Sequence, residues 1–192
     1  MHTLTKVYED HGVARQVVAE LETAGIPSSS ISIVANKGVN NQNDDEGSTA
    51  GGGAEAGLMI GGTAGGLLAG LGAMTIPGIG QVAAAGWLVT MALGAFAGGV
   101  TGGILGALID ANVPEEHAHV YSEALRRGAS LVSVRVEDKD VELARAIMDR
   151  HTSIDPVRKR EEYRKSGWKH FDPAVSSDYV PEGLEVERMR RA

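Results

Sequence analysis

Few residues of this 192-residue chain have the types and spacing that chemistry requires. His117 and His119 lie two positions apart in a predicted helix, so their side chains point about 200° apart and cannot share a metal ion. Asp44, Asp45 and Glu46 have the oxygen ligands that a hard cation takes, but three acids in a loop of glycine and asparagine are normally just solvated. We therefore predict no metal site, no catalytic residue and no cofactor.

The glycine-rich stretches GGGAEAG and GGTAGG suggest a phosphate-binding loop but lack its features. No GxGxxG motif follows a predicted strand at the right point, and no Lys-Ser or Lys-Thr pair closes a Walker pattern. The chain has no cysteine, which excludes disulfides and thiolate chemistry. Its net charge of −7 argues against nucleic-acid binding. We therefore expect a protein that is not an enzyme and does not bind nucleic acid.

The charges of the chain are sharply partitioned. Residues 56–109 contain no Asp, Glu, Lys, Arg or His, and they hold 16 of the 26 glycines. Many of these glycines recur every four residues, which places them along one ridge of a helix and lets another backbone approach closely. The predicted packing glycines are Gly57, Gly61, Gly65, Gly66, Gly70, Gly94, Gly98, Gly102 and Gly106.

A turn at 77–81 divides this uncharged run. Pro77, Gly78 and Gly80 are strong turn signals, with 21 uncharged residues before the turn and 28 after it. About 20 helical residues cover the roughly 30 Å of a bilayer's hydrocarbon core. We predict a glycine-zipper helical hairpin that lies in a membrane. Two alternatives are a hairpin buried in a soluble oligomer and an apolar hairpin folded onto its own domain.

The flanking segments alternate between strand and helix patterns. Alternating apolar residues predict strands, whereas a 3.6-residue periodicity with capping signals predicts helices. The predicted strands are 3–8, 30–35, 130–137 and 153–157, and the predicted helices are 12–24, 113–128 and 139–151. This order is that of an α+β, ferredoxin-like split βαβ domain. Its two halves are 1–36 and 113–157, and a polar linker, 37–55, leads to the hairpin.

The C-terminal tail, 158–192, is charged and ends in a predicted short helix. Between Arg158 and His170 it holds six Lys or Arg and two acidic residues, which would attract an anionic membrane surface. Trp168 and Phe171 are unusual in so polar a segment. They are either a docking motif or side chains that pack back onto the open face of the sheet.

Three motifs carry a family resemblance. A first half beginning TKVYEDHGVARQVVAELETAGIPSSSISIVA, a turn reading IPGIGQ and a return through VPEEHAHVYSEALRRGASLVSVRVED resemble the YflT-like general stress proteins of bacteria. The resemblance covers about residues 3–155, and the tail piece GWKHFDP also looks like tails of that family. It implies a stress-induced, membrane-associated protein with no enzymatic activity and no catalytic residues to carry over.

The expected function is a non-enzymatic bacterial stress-response protein that associates with the cytoplasmic membrane, self-assembles through its hairpin, or does both. Its N-terminus, MHTLTKVYED, is not a secretory signal, so we expect the charged parts on the cytoplasmic side of the membrane. One alternative is a soluble homo-oligomer, filament or shell in the cytoplasm with the hairpins as its core. A second alternative is a small-ligand sensor, which rests on fold analogy.

Overall fold

The computed structural model describes residues 1–36, 66–69, 71–76, 78–98 and 103–174. Their strands are β1 (His2–Tyr8), β2 (Ile31–Asn36), β3 (Gly72–Ile76), β4 (Gly80–Gly86) and β5 (Ser130–Val136). Their helices are α1 (His11–Thr23), α2 (Gly66–Ala69), α3 (Trp87–Gly98), α4 (Ile104–Asp110), α5 (Glu115–Arg126), α6 (Val141–Asp149) and α7 (Pro156–Lys165). The five described strands form one antiparallel sheet in the order β1-β5-β2-β4-β3. The predicted α+β class is confirmed.

Helices cover both faces of this sheet. Because successive side chains of a strand point to opposite faces, Val132 and Val134 of β5 pack among residues of α1 and α6, while Leu131 packs among residues of α3, α4 and α5. The first face is covered by α1 and α6, together with Leu67 and Leu68 of α2. The second face is covered largely by the uncharged run, so the described part of this run is folded onto its own domain.

The prediction that residues 77–81 join two helices of a hairpin is wrong. Residues on either side of this turn form a β-hairpin, in which β3 pairs with β4 and β4 pairs with β2. Gly78 and Gly80 have φ of +78° and +98°, which other residues rarely adopt, and Ile79 donates its N–H to the carbonyl of Ile76 at 3.0 Å. Small side chains at the centre of β4 are buried on both faces, a pattern that suits a strand enclosed between two helical layers.

The predicted strand at 153–157 is also wrong. Ile154 donates its N–H to the carbonyl of Val7 of β1 at 2.7 Å, but no strand forms at 153–157. The chain then turns into α7, because the Asp155 carboxylate accepts the N–H of Val157 at 2.9 Å and Pro156 occupies the first helical position. An Asp-Pro pair is a helix-start signal, and it outweighs the short apolar pattern around it.

The other predicted strands and helices that fall in the described residues of the flanking segments are present, within two residues of their expected bounds. Several predicted features lie outside the described residues. These are the linker 37–55, the tail from 175 onward, Pro77, Gly57, Gly61, Gly65, Gly70 and Gly102. Of the remaining predicted packing glycines, Gly66 lies in α2, Gly94 and Gly98 lie in α3, and Gly106 is buried in α4.

Candidate functional site

A buried charge cluster lies at the C-terminal end of α5. The carboxylate of Glu123 is 1% exposed and accepts hydrogen bonds from Nη2 of Arg126 and, at 2.6 Å, from Nε of Arg127. The three residues share one side of the helix because they are spaced three and four apart. Two cations on one carboxylate leave this buried cluster with a net positive charge, which faces the tail.

The tail packs against these two arginines through its aromatic residues. The guanidinium of Arg126 lies 5.2 Å from the ring centre of Phe171, and that of Arg127 lies 4.2 Å from the ring centre of Tyr163. Tyr163 in turn meets Trp168 edge-to-face at 5.6 Å. Cation–π contacts of this kind strengthen when they are shielded from water. Phe171 is only 2% exposed and belongs to the core on the α5 face.

The β3–β4 turn contacts the same part of the tail. A methyl group placed on Gly78 would lie 2.7 Å from Cα of Pro173, so the turn and the tail are in backbone contact. The side-chain amide of Asn36 donates to the carbonyls of Ile79 at 3.1 Å and Leu125 at 3.1 Å. The ends of β2 and α5, the turn and the tail therefore meet at one place, which we name the tail junction.

His119 joins the tail to α5 by a hydrogen bond. Its Nδ1 accepts the backbone N–H of Phe171 at 3.2 Å, which requires that this nitrogen carry no proton. Burial lowers the pKa of His119, the carboxylate of Glu115 opposes this, and the ring of His170 adds to the lowering. The unprotonated state that the bond needs is thus the one the surroundings favour.

The tail junction is a packing and docking arrangement rather than a set of reacting groups. Its polar side chains include Arg126 and Arg127 paired with Glu123, the Asn36 amide and the His119 ring, and their hydrogen bonds and ion pairs hold the tail. In the described ranges, no group of three His, Cys, Asp or Glu side chains is placed to hold a metal ion. The arrangement is suited to holding the tail against the domain.

The two tail residues singled out from the sequence do come together here. Phe171 lies in the core cluster that contains residues of α5, and Trp168 packs against that cluster. The cluster of Glu123, Arg126 and Arg127 was not predicted from the sequence. The sequence pattern that indicates this cluster is a glutamate that precedes one arginine by three residues and the next arginine by four.

A second group that the sequence analysis missed lies where β4 leads into α3. The guanidinium of Arg135 stacks on the Trp87 ring, with 3.5 Å between its central carbon and the ring centre. The Trp87 indole N–H donates to the carbonyl of Ser30 at 3.0 Å, which fixes the ring. The alternating pattern of β5 indicates this position, since Arg135 lies on the same face of the sheet as the buried residues Leu131 and Ser133.

None of the helices in the described ranges has both the length and the apolar character needed to cross a bilayer. Comparisons of the chain with family models, with curated proteins and with solved structures found no match. The resemblance to YflT-like stress proteins, which rests on motifs, therefore stays a prediction.

Proposed function

We propose that this chain is a non-enzymatic stress-response protein that assembles with copies of itself, and that the uncharged run supplies the surface for assembly. The proposal treats the domain as a split βαβ unit whose sheet is extended by the inserted strands β4 and β3. In this arrangement the insertion contributes an edge of the sheet rather than a membrane anchor.

The observation that carries the proposal is the chemistry of the edge strand β3. Its sequence, GAMTI, has no charge, and Ala73 and Thr75 are exposed. Among the described residues, β3 pairs with β4 on one side and with no strand on the other. An edge strand of this kind presents backbone donors and acceptors to another chain, and proteins that stay monomeric usually blunt such an edge with Lys, Pro or a covering segment.

The opposite edge of the sheet is blunted in those ways. Lys6 of β1 forms an ion pair with Asp149 of α6. The backbone N–H of Ile154 donates to the carbonyl of Val7, so this acceptor is already used. A second copy would therefore add at β3 and not at β1. Pairing of two β3 strands would join two sheets into one continuous sheet, and a symmetric contact of this type favours a closed dimer.

The burial of the uncharged run supports assembly over insertion into lipid. Leu88 of α3 and Ile104 and Leu108 of α4 are no more than 1% exposed, because they lie in one core cluster where α3 packs on the sheet and α4 packs on α3 and α5. Inserting these helices in a bilayer would remove them from that core and expose the sheet beneath them. Each large apolar side chain of the sheet that is exposed to water costs about 1.5–3 kcal/mol, whereas the helix side chains would stay out of water in the lipid.

The test is the mass of the full chain in solution, measured by light scattering with and without mild detergent. The wild-type protein is expected to exceed its 20.0 kDa chain mass in plain buffer, and Thr75→Lys is expected to shift it toward the monomer. The control is His2→Lys, which adds the same charge to an exposed residue of β1.

Two results would overturn the proposal. One is a wild-type protein that is monomeric at every concentration. The other is a protein that is recovered only in detergent with a mass unaffected by Thr75→Lys, which would favour association with a bilayer through 56–109.

A further inference from the structure

We propose that Arg135 and the hydroxyl groups beside it form a binding site for a small organic monocarboxylate. The site lies on the sheet face that carries α3, between β1, the end of β5 and the start of α3. It is separate from the tail junction and from the β3 edge, and it does not depend on the proposed assembly.

The first observation is a fixed cation. Arg135 is half-buried and is held by two contacts, the Trp87 ring and the sulfur of Met91, to which Nη2 donates at 3.0 Å. The Trp87 ring is itself fixed by its bond to Ser30. A guanidinium that is already oriented loses little conformational entropy when it binds an anion.

The second observation is that this cation has no counter-ion in the described part of the chain. The buried arginines of α5 pair with Glu123, Arg160 pairs with Glu116, and Arg150 with Glu20. No carboxylate of the described residues lies within 4.0 Å of Arg135. The other N–H groups of the Arg135 guanidinium are not enclosed in the protein without a hydrogen-bond partner. They therefore reach solvent. A half-buried cation of this kind attracts an anion.

The third observation is a row of hydroxyl groups on the same face of the sheet as Arg135. Thr3 of β1 lies directly opposite Arg135 of β5. Two residues along the strands, Thr5 lies opposite Ser133. Because side chains alternate, all four lie on the same face of the sheet. Thr5 and Ser133 share a hydrogen bond of 2.8 Å between their hydroxyl oxygens, and Thr3 and Thr5 are half-buried rather than enclosed.

The charge and the walls of the site define the ligand class. One guanidinium balances one negative charge, and its planar fork matches a carboxylate, whereas a phosphate dianion would call for further cations. Trp87 and Met91 form an apolar wall beside the cation. An acid with a short aliphatic or aromatic body would place its carboxylate on Arg135 and Thr3 and its body against that wall.

Fluorescence of Trp87 provides the measurement, since the chain has two tryptophans. Trp168→Phe removes the other one and is expected to be tolerated, because the indole Nε1 of Trp168 is buried and has no hydrogen-bond partner among the described residues. In this background, hexanoate is expected to change the Trp87 emission in a saturable way, whereas hexanamide, which has the same size without the charge, is not. Arg135→Gln is expected to weaken hexanoate binding about tenfold or more.

The matched control is Arg145→Gln, which removes an exposed arginine of α6 and is expected to leave binding unchanged. Thr3→Val keeps the shape of the strand and is expected to weaken binding several-fold, so it tests the site even if Arg135→Gln does not fold. The proposal is overturned if hexanamide acts like hexanoate, if inorganic phosphate binds more tightly than hexanoate, or if both site variants bind like the control.

Discussion

The backbone N–H of Phe171 donates to Nδ1 of His119 across 3.2 Å, so a titratable ring on α5 directly holds the tail. Protonation of Nδ1 would replace this acceptor with a donor and break the bond. The tail junction therefore depends on the protonation state of one histidine.

The tail junction should weaken in acid. Burial holds the pKa of His119 below its ordinary value of 6.5, so below that pH the unfolded chain binds more protons than the folded chain. The stability that the neutral ring contributes is fully present above about pH 6.5 and is lost as the pH falls through the folded-state pKa. Urea unfolding between about pH 5 and 7 measures this loss.

His119→Gln should flatten this pH dependence, because an amide oxygen accepts the Phe171 N–H without titrating. The control is His117→Gln, since His117 lies on the same helix with its ring against Tyr121 rather than the tail. An unchanged slope in His119→Gln would contradict the prediction.

Phe171→Ala should destabilise the domain by about 3 kcal/mol, because a large ring that is 2% exposed leaves a cavity in the core. Val157→Ala, at a side chain that is 59% exposed, should change the free energy of unfolding by less than about 0.5 kcal/mol. Chemical denaturation compares the two. Equal effects would mean that the tail is not part of the cooperative unit.

Gly78→Ala should be more damaging than Gly25→Ala, although both glycines have positive φ. A methyl group on Gly25 meets nothing within 4 Å, so its cost is the backbone strain of about 1–2 kcal/mol. A methyl group on Gly78 would also collide with Pro173, which adds about 1–3 kcal/mol and displaces the tail. Denaturation with limited proteolysis of the tail measures both effects, and equal costs would refute the contact.

Glu123→Gln should cost about 3–5 kcal/mol, because it leaves Arg126 and Arg127 with a neutral partner in a buried place. The control is Glu116→Gln, which removes an exposed carboxylate from its pair with Arg160 and should change stability little. The midpoints of thermal unfolding of the two variants give the comparison. A mild effect at Glu123 would indicate that water reaches the cluster.

The sequence predicted the elements whose patterns are unambiguous. In α1, Val17, Val18 and Leu21 recur at helical spacing and are fully buried, and Asp10 caps the helix by accepting the N–H of Val13 at 2.9 Å. The alternation of β5 is equally clear. In such segments the local preference and the tertiary environment agree, so the pattern alone is sufficient.

The β-hairpin of β3 and β4 was mispredicted as part of a helical hairpin, because the pattern of this segment fits two structures. A short run of small apolar residues, such as residues 82–85 (VAAA), suits a buried strand as well as a helix. The decisive feature is Gly86, where a side chain would clash with the carbonyl of Ile31 as the chain leaves the sheet. That close approach depends on the pairing of β4 with β2, which no local pattern reveals. Local spacing marked Glu123 with its two arginines and the sheet face of Arg135, but it could not reveal their partners Phe171 and Trp87, which are far away in the chain.

The strand order has a consequence for how the chain folds during synthesis. β1 and β2 do not pair with each other, and both flank β5, which begins only at Ser130. β2 can pair with β4 as soon as Gly86 has left the ribosome, whereas β1 must wait for β5. Pairings between distant residues form slowly, because long loops must close first. The uncharged run would thus give the early part of the nascent chain its first partner, and the sheet would be completed from its middle strand outward only when β5 emerges.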